Sequence, residues 1–86
     1  MILAKVYVSL KLTVNDPEGL TILNGLHSLG FASASSVRYG KYVELRLEEV
    51  DLRRAEELVK EMCKQLLANP VIEEYRYELE RLDHGN

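Results

Sequence analysis

The sharpest boundary in this chain lies at Asn69-Pro70, and it decides which elements become neighbours. Before it, Leu52, Ala55, Leu58, Val59, Met62, Cys63, Leu66 and Leu67 recur at helical spacing and form one apolar stripe. After it, Val71, Tyr75, Tyr77 and Leu79 alternate with Glu74, Arg76, Glu78 and Glu80, which is the period of a half-buried strand. Proline cannot continue a helix, and it pushes the residue before it out of the helical region. Asparagine tolerates the left-handed conformation that closes a helix. The pattern therefore predicts a last helix ending at Asn69 and a last strand running from Val71 to about Arg81, joined by almost no loop. A joint that tight fixes how the strand lies beside the helix.

The first half of the chain is patterned as clearly. Ile2, Ala4, Val6, Val8, Leu10, Leu12 and Val14 alternate with Leu3, Lys5, Tyr7, Ser9, Lys11 and Thr13, a strand with its even side inward. Asp16-Pro17-Glu18 then starts a helix: a capping carboxylate, a proline at the first position, and an acid at the positive end of the dipole. Ile22, Leu23, Leu26 and Leu29 make its stripe, Gly30 ends it, and Gly25 inside it costs about 1 kcal/mol against alanine unless it permits close packing. Phe31 to Ser36 is a serine-rich connection. Residues 37–48 return to period two, with Val37, Tyr39, Val43, Leu45 and Leu47 on one parity and Arg38, Tyr42, Glu44, Arg46 and Glu48 on the other. Gly40-Lys41 interrupts them. A two-residue hairpin there would put Val43 and Leu45 on the wrong face. A three-residue loop and one long strand bent at Gly40 both keep the parity. Asp51 caps the second helix, whose outer face carries Arg53, Arg54, Glu56, Glu57, Lys60, Glu61 and Lys64.

Strand, helix, strand or hairpin, helix, strand predicts an α+β two-layer sandwich, related to the ferredoxin-like βαββαβ arrangement, with both helices over one face of the sheet. Residues 1–82 form a single domain and 83–86 a polar tail. A chain of 86 residues buries only about two-thirds of its unfolded surface. Its one cysteine excludes an internal disulfide, so self-association, a dimer or larger, is the expected source of further stability. The uncovered sheet face should carry Leu3, Lys5, Tyr7, Arg38, Tyr42, Arg46, Ile72 and Arg76. Tyrosine and arginine are enriched at protein interfaces, so Tyr7, Arg38, Tyr42, Arg46 and Arg76 are the candidate partner or oligomer contacts.

The search for chemistry is short. His27 and His84 have no Cys or His neighbour at ligand spacing, and Cys63 lies on an apolar stripe, where core filling outweighs nucleophilic use. Glu74, Glu78 and Glu80 surround Arg76 as on a solvated or interfacial strand. Glu73 shares the inward parity, which marks a protected edge or a contact between subunits. No phosphate-binding glycine loop is present, and Gly19 and Gly25 lack its pattern. A net charge of −3 argues against nucleic acid despite the tyrosines, and no apolar run is long enough for a bilayer. With a lone thiol and no export signal, the expected location is the cytoplasm. These residues define a small oligomeric interaction module, without a catalytic, cofactor or metal site of its own.

Three stretches add a resemblance. Met62 to Tyr75, with Leu66-Leu67-Ala68-Asn69-Pro70-Val71-Ile72-Glu73 at its centre, is similar to the signature of the PurS family. His27-Ser28-Leu29-Gly30-Phe31 and Val37-Arg38-Tyr39-Gly40-Lys41-Tyr42-Val43-Glu44-Leu45 resemble it too, as does the helix start at Asp16-Pro17-Glu18-Gly19. Leu12-Thr13 departs from the proline and glycine that the family usually carries there. The resemblance implies the small subunit of phosphoribosylformylglycinamidine synthase, in de novo purine synthesis. It implies a chain that bridges a glutaminase subunit and a synthetase subunit, the latter using ATP and Mg²⁺, so that ammonia passes between them. The competing reading is a small-molecule regulatory domain of similar topology, and a third is a dimeric scaffold for an unrelated enzyme.

Overall fold

β1, Ile2–Leu10, is the central strand. In the computed structural model, which describes residues 1–82, its inward residues Ile2, Ala4, Val6 and Val8 are essentially inaccessible. β2, Gly40–Leu47, and β3, Glu73–Arg81, pair with it antiparallel on either side, giving the order β2-β1-β3. α1 spans Pro17–Ser28 and α2 spans Leu52–Met62. The inward residues of the two edge strands, among them Val43, Leu45, Tyr75, Tyr77 and Leu79, are only half-buried, so one strand carries the centre of the core.

α2 supplies the opposing layer. Asp51 Oδ1 accepts from the Arg53 amide at 3.0 Å and starts it. Ala55, Val59 and Cys63 are buried at helical spacing, and Val59 and Cys63 meet Ala4, Val6 and Val8 in one cluster. Its outer face carries only weak exposed pairs, Lys60–Glu56 at 3.9 Å and Arg54–Glu57 at 4.0 Å.

The tight joint is built differently from the expectation. The helix passes into a π-helical turn at Cys63–Leu67, closed by the Ala68 amide on the Cys63 carbonyl at 2.9 Å. The wider turn rotates the face: Ala68 is buried, and Leu66, on the predicted stripe, is 83% exposed. Asn69 does not take up the left-handed conformation. Instead its side chain accepts from the Val71 amide at 3.1 Å, and its carbonyl accepts from Ile72 and Glu73. β3 therefore begins at Glu73, two residues after the predicted start. Glu73 is explained here, since its carboxylate accepts from the Asn69 amide at 2.7 Å and so closes the turn.

Two other strand boundaries move. β1 ends at Leu10, because the Lys11 amide donates to the Ile72 carbonyl and the Val14 amide folds back onto the Lys11 carbonyl, leaving Leu12 exposed. That turn holds Leu12-Thr13. β2 begins at Gly40, so Val37 and Tyr39 lie in the connection, and neither a hairpin nor a long bent strand forms there.

The larger difference concerns α1. Its signals hold: Asp16 caps it, Pro17 opens it, and Gly30 ends it at φ 97°, with Phe31 donating to the Leu26 carbonyl and Gly30 to that of His27. The His27 ring bonds the Ala34 carbonyl at 2.7 Å. Yet Gly19 is its one buried residue, and none of its side chains joins the core cluster. Leu20, Ile22, Leu29 and the following Phe31 are exposed. A Cβ at Gly25 would meet nothing within 4 Å, so that glycine serves no close packing in this chain. The molecule is correspondingly elongated, 48 × 31 × 15 Å, longer than the about 30 Å of a nine-residue strand. One helix, and not two, covers the inner face.

Candidate partner-binding face

Strand register brings three of the five candidate contacts into one row across the outer face of the sheet. Tyr7 lies opposite Tyr42 on one side and Arg76 on the other. The two rings sit 5.0 Å apart, tilted by 38°, and the Arg76 guanidinium lies 3.9 Å from the centre of the Tyr7 ring. Such a cation–π contact contributes about 0.5–1 kcal/mol at an exposed site.

The next row places Lys5 between Glu44 and Glu78. Both carboxylates serve the aromatic row. The Tyr42 hydroxyl donates to Glu44 at 2.7 Å, and the Tyr7 hydroxyl donates to Glu78 at 3.2 Å. Glu44 therefore holds the Tyr42 phenol protonated, pushed up to about 12, as a neutral donor. Arg76 also approaches Glu78 at 3.9 Å. Arg46 stands further along, in the row of Leu3 and Glu80, away from the tyrosines.

Arg38 lies in the connection before β2, at the end of the sheet. Its guanidinium donates to the Leu10 carbonyl, which ties that connection to the end of β1. A hollow of about 600 Å³ opens at this end of the sheet, bounded by Tyr7, Arg38, Tyr39, Tyr42, Glu74 and Arg76 among others. Tyr39 and Tyr42 on its wall are half-exposed.

The residue that shapes this end was legible in the sequence only as a helix cap. Asp16 Oδ1 accepts from the Gly19 amide at 2.9 Å, and Oδ2 accepts from the Tyr39 amide, also at 2.9 Å. One side chain thus joins the start of α1 to the entry of β2. Those two amide bonds, Tyr39 first, hold its carboxyl below the ordinary carboxylate value of 3.8. A depressed folded pKa gives stability that is full above the unfolded value and lost as pH falls through the folded one. Asp16→Ala should remove this acid-dependent component and increase amide exchange at Gly19 and Tyr39, as measured by hydrogen exchange between pH 3 and pH 6.

The other sequence candidates resolve simply. Cys63 is fully buried, and burial raises its thiol pKa, the opposite of activation. Among the described residues no group of three or more His, Cys, Asp or Glu side chains is placed to hold a metal ion. Among the described residues no helix is long and apolar enough to cross a membrane. His84 and the predicted tail lie outside the described residues.

A sheet covered on one side by one helix, with a tyrosine–arginine row on the other and a second helix standing apart, defines a class: a small α+β module built to be completed by other chains. The family model for phosphoribosylformylglycinamidine (FGAM) synthase, PurS, matches residues 3–81. The chain belongs to the PurS family. It is 54% identical to the phosphoribosylformylglycinamidine synthase subunit PurS of Bacillus subtilis over 78 residues, covering 91% of this chain and 92% of that one. The crystal structure of PurS from Methanocaldococcus jannaschii, one of the subunits of formylglycinamide ribonucleotide amidotransferase, superposes with a TM-score of 0.89 at 41% identity, over 96% of this chain and all of that chain. A chain in the structure of PurLQS from Thermotoga maritima superposes with a TM-score of 0.82 at 32% identity, over 93% and 99% of the two chains.

Proposed function

We infer that this chain is the small bridging subunit of phosphoribosylformylglycinamidine synthase, joining a glutaminase subunit to a synthetase subunit. The observation that carries this reading is the nearly full-length likeness to a chain of the PurLQS structure. A protein of 9.9 kDa with a rigid three-stranded sheet and two non-equivalent surfaces suits a role in holding larger proteins in register. Free ammonia is largely protonated in neutral water and loses its nucleophilicity. A fixed alignment of the two sites raises its effective concentration at the acceptor. On this reading ATP and Mg²⁺ belong to the synthetase subunit, this chain supplies no catalytic group, and the complex works in the cytoplasm. No nucleic acid or membrane takes part.

The same reading includes self-association as a dimer or larger. Its support is the exposed stripe of α1, where Leu20, Ile22 and Leu29 have no cover within the protomer. Burying an exposed leucine contributes about 1.5–3 kcal/mol, and no side chain of α1 joins the core cluster of its own protomer.

The test is reconstitution with the synthetase and glutaminase subunits. Glutamine-dependent amidine formation should require this chain, while ammonia-dependent turnover by the synthetase should not. Equal glutamine-dependent rates with and without the chain would overturn the reading. Charge reversal at both Arg38 and Arg46 should lower glutamine-dependent activity by about tenfold, equivalent to about 1.4 kcal/mol of assembly energy, with an unchanged circular dichroism spectrum.

A further inference from the structure

We propose that the hollow at the Gly40 end of the outer face receives an acidic segment of one of the two companion subunits, with a carboxylate seated between Arg76 and Arg38 and an apolar side chain laid against Tyr42. The proposal rests on the bridging role and assigns it a contact site and a partner chemistry.

Charge is the first argument. The chain as a whole carries −3, yet on the outer face this hollow is bounded by two cations, Arg38 and Arg76, against one carboxylate, Glu74. Local reversal of sign on an acidic protein favours an anionic partner and steers its approach.

Pre-organisation is the second. Arg76 is held over the Tyr7 ring, Arg38 is tied to the Leu10 carbonyl, and both tyrosine hydroxyls are committed to Glu78 and Glu44. The rings and guanidinium groups are therefore fixed before a partner arrives, which lowers the entropy lost on binding. A guanidinium stacked on an aromatic face keeps its in-plane N–H groups, the ones that fork onto a carboxylate.

Shape is the third, and it selects a protein segment over a free anion such as a nucleotide. A small ligand is ordinarily buried by roughly 70–90% in its pocket. Here Tyr39 and Tyr42 on the wall remain 48% and 47% exposed. An occupant of this hollow must bring its own cover, as a larger protein does.

The experiment uses the full chain and each companion subunit in separate binding titrations, at about 50 and about 300 mM salt, because screening separates charge steering from apolar contact. Arg38→Glu with Arg76→Glu should weaken binding to one companion by at least tenfold at the lower salt and leave the other unchanged. Arg76→Lys with Arg38→Lys should restore part of the loss. Melting curves and sedimentation confirm that fold and self-association are kept. If wild type binds neither companion, the bridging role itself fails. If wild type binds and the reversed variant binds both equally well, only this assignment fails. Two further results would overturn it: a thermal shift of wild type with ADP or inorganic phosphate that the variant loses, making the site one for a free anion, and dissociation of the variant to monomers, making it a contact between copies.

Discussion

Gly40→Ala is expected to destabilise the protomer by about 3 kcal/mol and to lower its melting temperature by roughly 15 °C. A Cβ at this position would stand 2.5 Å from the Val8 carbonyl oxygen, 3.4 Å from its carbon and 3.5 Å from the Ser9 Cα. All three are main-chain atoms of the central strand. Overpacking ordinarily costs about 1–3 kcal/mol because side chains yield. Here nothing yields unless β2 separates from β1 where it enters the sheet, so the cost falls at the upper end. Gly25→Ala is the internal control. Its Cβ meets nothing within 4 Å, and helix propensity alone should stabilise by about 0.5–1 kcal/mol. Thermal denaturation followed by circular dichroism reads both. A Gly40→Ala protein melting within about 2 °C of wild type would show that the strand entry is looser than the register implies.

Such a contrast between two glycines was not legible in the sequence, and the reason is general to this chain. Local rules found what local forces build: the caps at Asp16 and Asp51, the glycine stop at Gly30, and the inward parity of Ile2, Ala4, Val6 and Val8. Parity also placed Tyr7, Tyr42 and Arg76 on one face, although only register shows that they share a row. The misses come from choices made between elements. Leu66 fits the helical stripe, but a π-helical turn changes the angular step after Met62 and turns it outward. Val37 and Tyr39 continue the alternation, but the Tyr39 amide goes to Asp16 and not to a neighbouring strand. Glu73 stood out by its parity, and its work in closing the turn on the Asn69 amide was hidden. The stripe of α1 is real as a pattern, yet a pattern does not say whether its own sheet or another copy covers it.

Val59→Ala measures the covered half of the core, and its outcome bears on the uncovered half. Val59 is wholly buried on α2, in the cluster that contains Ala4, Val6, Val8 and Cys63. Removing two methyl groups there leaves a cavity under the one helix that joins this cluster, so a loss of about 2.5 kcal/mol is expected, or roughly 12 °C. That decrement arises inside the protomer and should be the same at low and high protein concentration. Leu29→Ala should behave in the opposite way. Leu29 is 76% exposed at the end of α1, so its truncation costs almost nothing in an isolated protomer. If a second copy covers α1, the decrement grows with concentration, because association stabilises the folded state by mass action. Melting curves at about 1 µM and about 100 µM for both variants separate the two sources. Equal Leu29→Ala decrements at both concentrations would remove α1 from the self-association surface, and the cover for its exposed stripe would then have to come from one of the larger companions.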